Sequence, residues 1–442
     1  MNPSYFPNSA KINSSNHLEV GGYDLTELAE RFGTPLYVID ERTVRDTAKE
    51  YKEALNEFYP NSLPIFASKA LSLQAIFSIL YQEGFGLDVV SAGELFTAQS
   101  IKFPGEKIYL HGNNKSMEEL EMASDYEGTK VIIDNFNDIE ILRKLGKPID
   151  ALLRLTPGVE CHTHEYIKTG HLDSKFGFDL DQLEDAIEKI KSISNINLIG
   201  LHAHIGSQIF EIAPYQDAAK ILLGSFVKLK EKYGLEFSEL NVGGGFGIHY
   251  TEQDDPPSIN DVIKKLSETV KSLVSEFKLK EPKLIIEPGR SIVGRAGVTV
   301  YTVGASKEVP EGSYYISVDG GMADNPRSIT YQAEYEACLA NRVQSDNLKK
   351  YTLAGRYCES GDILIKDLEL PVDVQSGDLI AVFGTGAYNY SMSSNYNRVP
   401  KPTMVLLNNG EAEVILRKET LEDILRNDIL PTRLANLKEK VH

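Results

Sequence analysis

The chain has 442 residues, 42% of them apolar and 25% charged, which supplies sizeable cores and more length than one domain usually takes. Its formal net charge of −18 argues against a nucleic-acid partner, because phosphates would be repelled. Three cysteines, Cys161, Cys338 and Cys358, are too few for a disulfide framework; with a polar N-terminus and no apolar run of membrane-spanning length, they point to a soluble cytoplasmic protein and no membrane partner.

Residues 1–39 precede the first regular unit and contain the strand-like Leu36–Ile39, expected to join a sheet built further along the chain. Eight short apolar runs then end near Lys69, Ser91, Asn113, Asn135, Pro157, Gln208, Gly247 and Arg290. Between them, segments such as Met117–Tyr126, Leu180–Ser192 and Val262–Phe277 carry apolar residues at helical spacing. Strands alternating with helices imply parallel pairing through crossovers. Eight units fit a TIM-type (β/α)8 barrel over residues 40–295 better than a very large doubly wound sheet. The acidic, proline-containing Gln253–Ser258 reads as an exposed loop. After Arg290 the pattern changes: Val298–Val303, Tyr314–Val318, Leu379–Phe383, Met404–Leu407 and Glu413–Leu416 read as strands, with Asn408, Asn409 and Gly410 as a hairpin turn. Residues 1–39 and 296–442 are therefore expected to form a second, mostly antiparallel β domain.

The chemistry-bearing residues gather at the C-terminal ends of the predicted strands, where barrel enzymes build their sites. Gly243, Gly244, Gly245 and Gly247 follow the seventh run, and Glu287-Pro288-Gly289-Arg290 follows the eighth. A glycine cluster alone reads as a flexible turn. Two such loops on neighbouring last strands of a barrel read jointly as a phosphate cradle, because backbone N–H groups converge there unobstructed. Lysines are usually solvated, but Lys69 closes an apolar run at the mouth; partial desolvation there would make its amine a nucleophile toward an aldehyde. A Schiff-base lysine beside a phosphate site points to pyridoxal phosphate. His202 and His204 alternate on one strand face and His162 and His164 flank Cys161. An imidazole against the cofactor is the better reading of His204 than a metal ligand, since no convergent carboxylate accompanies the pair; no catalytic metal is expected.

The motifs F-A-S-K-A at Phe66, H-E-Y-I-K-T-G at His164, D-S-K-F-G at Asp173, H-I-G-S-Q at His204, G-G-G-F-G at Gly243 and E-P-G-R at Glu287 occur in that order. G-G-M-A-D-N-P-R at Gly320, C-E-S-G-D at Cys358 and G-A-Y at Gly386 follow. From about residue 20 to residue 430 the sequence resembles the alanine racemase-like, fold-type III pyridoxal-phosphate decarboxylases, most of all the branch acting on meso-diaminopimelate. The resemblance implies that Lys69 carries the cofactor covalently and that Asp88, His204 and Ser207 lie around its ring and phosphate. It implies that Gly244, Gly245 and the Gly289-Arg290 backbone bind the phosphate and that Glu287 pairs with the pyridine nitrogen. Arg290, Arg327, Tyr331, Glu359 and Tyr388 are implied to bind substrate, Tyr388 also reaching the phosphate. Cys358 is implied to give a proton to the substrate across a homodimer interface. One departure is Leu71, where many members carry asparagine after the Lys-Ala pair; the lysine itself is intact.

The implied activity is decarboxylation of meso-2,6-diaminopimelate to L-lysine and carbon dioxide. The charge inventory agrees: a decarboxylase of ornithine or lysine needs only an acid for the distal amine, whereas this chain offers Glu359 together with Arg290 and Arg327. Guanidinium suits planar carboxylates. Cys358 suits proton delivery if a cationic pocket lowers its pKa, and Cys161 and Cys338 read as inert thiols. The rival readings are a decarboxylase of another basic amino acid or of carboxynorspermidine, and a regulatory protein that keeps the fold without the activity.

Overall fold

The structure, a computed structural model of the chain, describes residues 3–159, 174–310 and 312–435. Among them, eight parallel strands close a barrel: β1 (Ser62–Ala67), β2 (Gly86–Val89), β3 (Ile108–Leu110), β4 (Lys130–Ile133), β5 (Ile149–Arg154), β6 (Ile196–His202), β7 (Glu239–Gly244) and β8 (Lys283–Glu287). The eightfold alternation expected from the sequence is thus borne out. The ring closes where β8 pairs with β1. The strands read as nearly unbroken apolar runs because both of their faces are covered. Ile65, Tyr109, Ile132, Leu152 and Ile285 fill the interior, and residues such as Phe66, Leu87 and Leu153 pack outward against the helices.

Local chemistry sets the helix boundaries. The helix Met117–Asp125 begins at Ser116, whose side chain and that of Glu119 form a reciprocal cap. The helix Ile259–Glu276 begins ahead of its first expected residue because the Ser258 hydroxyl accepts from the Asp261 N–H at 3.1 Å. Among the described residues, no helix is long and apolar enough to cross a membrane.

A second, mostly antiparallel sheet is organised around the long strand Gly297–Glu308. Of residues 1–39, expected to join this sheet, Leu36–Asp40 does so, antiparallel to Gly297–Val300 and parallel to Thr403–Leu407, whereas Lys11–Ile12, Leu18–Val20 and Tyr23–Asp24 form a small separate sheet. The hairpin of Thr403–Asn408 with Glu411–Leu416 turns through Asn409 and Gly410, at φ 52° and 84°, the left-handed pair that a tight two-residue connection demands. Three strands of this domain had no clear sequence signal: Ala337–Leu339, Leu348–Ala354 and Ile363–Pro371. The last two pair across register shifts near Tyr351 and Leu353.

Candidate active site

Lys69 sits in a single 3-10 turn, Ser68–Ala70, directly after β1. Its side chain is exposed at the barrel mouth, which corrects the expectation of a desolvated lysine. The ammonium bears electrostatically on Asp88 at the end of β2, on Glu94 and on His204. Burial pushes the Asp88 carboxyl above its usual range. Glu94 accepts the Val90 N–H at 2.8 Å, and burial raises its pKa to about 7.

Glu287 ends β8 and is 5% exposed. Asn241 Nδ2 donates to Oε1 at 2.8 Å, His202 Nε2 stands 3.3 Å from Oε2, and His111 Nε2 stands 3.2 Å from Oε1. Burial alone would raise the carboxyl's pKa, but His111 and His202 hold it well below the ordinary range. Burial lowers His202 to about 4, so its neutral ring keeps an Nε2 proton to donate to the carboxylate. His111, His202 and Glu287 bring ligand atoms within 4.8 Å of one another, a set of the kind that can hold an ion. The histidine grouping considered from sequence is different: His162 and His164 lie outside the described residues, as does Cys161, and the expected absence of a convergent carboxylate is corrected, since Glu287 comes within 3.3 Å of His202.

Above this carboxylate, three loops meet as bare backbone. A Cβ on Gly245, at φ 101°, would lie 2.3 Å from the Gly206 carbonyl oxygen, and one on Gly244 would lie 1.9 Å from that of Glu287. A Cβ on Gly289 would come within 2.8 Å of the Ala67 Cβ, beside the lysine turn. The Gly244 N–H donates to His204 Nδ1 at 3.3 Å, and burial, then Lys69 and Arg154, drive the His204 pKa well below its usual value.

Arg290 donates from Nη2 to Ser207 Oγ at 2.8 Å and from Nη1 to the Tyr250 hydroxyl at 2.6 Å. Arg327, in the β domain, donates to that same hydroxyl at 2.8 Å and reaches the Tyr335 hydroxyl at 3.4 Å. The Tyr388 ring lies 4.9 Å from the Arg290 guanidinium and 5.5 Å from that of Arg327, and the Tyr331 ring lies 5.7 Å from Arg327. Tyr388 is anchored beside the lysine turn by its N–H, which donates to the Ala70 carbonyl at 2.8 Å. Arg290 and Arg327 are 6% and 4% exposed, and neither pairs with a carboxylate among the described residues.

Cys358 and Glu359 lie on an exposed loop, where the Cys358 N–H donates to Asn397 Oδ1 at 2.9 Å. Asp362 ties this loop to the turn carrying Arg327, accepting from Tyr357 N–H at 2.8 Å and Met322 N–H at 2.7 Å. Cys358 is exposed on this single chain, so the cationic pocket considered for it from sequence is not formed by the described residues of one chain. Cys338 is half-buried, and burial pushes its thiol up to about 12, consistent with an inert thiol.

Sequence reasoning passed over His111, Asn241, Glu94, Arg154 and Tyr250. Arg154 ends β5, is buried, and donates to Asp134 Oδ1 at 3.3 Å. His111 and Arg154 stand at or just beyond the C-terminal ends of barrel strands, a position that could have flagged them, whereas Asn241 lies within β7 and Glu94 and Tyr250 lie five and six residues beyond β2 and β7. The assembled set fits pyridoxal phosphate: an accessible lysine, a buried ionised carboxylate for a ring nitrogen and a side-chain-free cradle for phosphate. The buried Asp88 Oδ1 and Arg290 Nε have no hydrogen-bond partner among the described residues, as expected of polar atoms that face a ligand.

Residues 41–294 match the family model for the pyridoxal-binding domain of pyridoxal-dependent decarboxylases. The chain is 51% identical to the diaminopimelate decarboxylase of Synechocystis sp., over 98% of this chain and 95% of that protein. It is 48% identical to that of Bacillus subtilis, over 95% and 97%. Among solved structures, the diaminopimelate decarboxylase of M. jannaschii superposes with a TM-score of 0.89 at 32% identity, covering 97% of this chain and 99% of that one; the same enzyme is known in co-complex with L-lysine. Motif order, site geometry and full-length similarity together show that the chain belongs to the diaminopimelate decarboxylase family of pyridoxal-dependent decarboxylases.

Proposed function

We propose that this protein decarboxylates the D-configured centre of meso-diaminopimelate, with pyridoxal phosphate, to give L-lysine and carbon dioxide. The observation that carries the substrate choice is the pair of buried guanidinium groups, Arg290 and Arg327, gathered on one hydroxyl without a carboxylate of their own. Two confined cations at the mouth suit a substrate that brings carboxylates to them.

When bound, the cofactor supplies a sink for the electron pair left behind as carbon dioxide departs. Lys69 Nζ would hold the cofactor through its aldehyde group. Glu287, kept ionised, holds a proton at the ring nitrogen. The N–H groups of Gly245, Gly289 and Arg290, with Ser207, bind its phosphate, Gly244 adding only its lack of a side chain because its N–H is held by His204 Nδ1, while Asp88 and His204 flank its ring. Arg327, Tyr331, Tyr388 and Glu359 receive the distal amino-acid centre, Glu359 taking the ammonium. Cys358 delivers a proton to Cα. Its exposure on a single chain supports a homodimer in which this loop completes the partner's site. In this reading residues 40–295 bind the cofactor, and residues 1–39 with 296–442 add substrate and dimer contacts.

The test is incubation of the purified protein and pyridoxal phosphate with meso-diaminopimelate, ornithine, lysine and carboxynorspermidine in parallel. Lysine and carbon dioxide in equal amounts from the first substrate are expected. Turnover of another panel member in its place would overturn the substrate assignment.

A further inference from the structure

Tyr250 lies six residues beyond the glycine strand β7 and is 7% exposed. A buried tyrosine needs a partner for its hydroxyl, and here that one oxygen accepts from two cations. Arg290 Nη1 reaches it at 2.6 Å from the end of β8, and Arg327 Nη1 at 2.8 Å from the β domain. Burial alone would raise the phenol's pKa; the two guanidinium groups pull it below its ordinary value instead.

The ring is fixed independently of that hydroxyl. The Tyr250 and Thr251 N–H groups both donate to Asp254 Oδ2 at 2.9 Å. The ring packs edge-on against Tyr335 with centroids 5.6 Å apart. Gly384 leaves it room, since a Cβ there would lie 2.9 Å from Tyr250 Cδ1. Phenylalanine could do all of this packing, so what the oxygen adds is the spacing of two like charges carried by two different domains.

Resting on the diaminopimelate reading above, we infer that Tyr250 is a positioning residue that sets substrate specificity. Its hydroxyl joins Arg290 to Arg327 and so aims Arg327 at the distal carboxylate of the substrate. Ligands that carry this carboxylate feel the loss of the hydroxyl, and ligands that lack it do not.

The experiment uses the holoenzyme and Tyr250→Phe. L-lysine keeps the distal carboxylate and 1,5-diaminopentane lacks it. The variant should raise KM for meso-diaminopimelate and the inhibition constant of L-lysine together, by roughly tenfold, as for loss of one hydrogen bond to a charged group. The value of kcat should change less than about threefold, and the inhibition constant of 1,5-diaminopentane should stay put. On an Arg327→Ala background, Tyr250→Phe should add nothing further. Parallel weakening of both inhibitors, an effect confined to kcat, or additive losses in the double variant would overturn the inference. If Tyr250→Phe does not accumulate, Asp254→Ala loosens the same tyrosine from outside the pocket and must show the same split, or the inference fails. A wild-type protein inactive on meso-diaminopimelate would instead strike the reading on which the inference rests.

Discussion

Replacing Arg327 by alanine removes a 4% exposed guanidinium that donates to two tyrosine hydroxyls and lies within 5.7 Å of three aromatic ring centres. Two energies compete. In the free protein, Arg327 and Arg290 share one oxygen, and like charges on the order of 6 Å apart at an effective dielectric near 20 repel by about 3 kcal/mol. Deleting one of them returns that repulsion and offsets much of the lost packing, so the melting temperature should move little. With substrate bound, the variant loses a desolvated charge pair, typically worth about 2–5 kcal/mol when one partner is truncated. That corresponds to roughly thirtyfold to several-thousandfold in kcat/KM. The assay is steady-state kinetics on meso-diaminopimelate, with a cofactor absorption spectrum and a thermal melt for each protein. Arg327→Lys should rescue only partly, because a point charge lacks the fork geometry. Near-normal kinetics, loss of the cofactor, or a large drop in stability would refute the reasoning and leave the substrate choice to family resemblance.

Borohydride reduction of the holoenzyme followed by peptide mapping should label Lys69, and label on another lysine would remove the assignment. Mixing inactive Lys69→Ala and Cys358→Ala proteins should restore part of the activity through hybrid dimers, and no recovery despite proven subunit exchange would argue against shared sites. Asp324 is 2% exposed, accepts from Tyr301 at 2.6 Å and Tyr357 at 3.2 Å, and burial raises its pKa to about 7. Its raised folded-state value means that its contribution to stability is present below the unfolded carboxylate pKa and lost as the pH rises toward 7. Denaturant unfolding should therefore show the wild type losing more stability than Asp324→Asn between pH 4 and pH 8; equal losses would count against it.

The barrel was legible because each strand is buried on both faces and bounded by a polar end and an amphipathic helix. The hairpin was legible because Asn409-Gly410 permits few other conformations. Ile363–Pro371 hid for a physical reason: Asp367 adopts φ 53° in mid-strand and interrupts the alternation of apolar residues that marks a strand. Leu348–Ala354 hid behind Lys349 and Lys350 and its shifted register. In the site, Lys69, the glycine loops and Glu287 announced themselves through chemistry at strand ends. The surroundings of Glu287 did not: His202 stood out only as half of an alternating pair, and His111 and Asn241 not at all, because the three come from different parts of the barrel and only its closure makes them neighbours. Tyr250 was hidden by its ordinariness, one tyrosine among 22, with nothing local to show that two distant arginines converge on it.

The pairing of β8 with β1 also has a bearing on how the protein is made. Pro288 accepts the Ala67 N–H at 3.1 Å, and Gly289 abuts Ala67, so the lysine turn and half of the phosphate cradle are separated by more than two hundred residues of chain. A ribosome that has delivered Lys69 must translate through Arg290 before the lysine turn meets the Pro288-Gly289 segment that abuts it. Leu36–Asp40 waits longer, since its partners include Thr403–Leu407. Domains tend to fold as units during synthesis, and here both units are stitched by their earliest strand to one of their latest. A product released before Arg290 lacks the segment that abuts the lysine turn, so early termination leaves the barrel open at the seam beside Lys69.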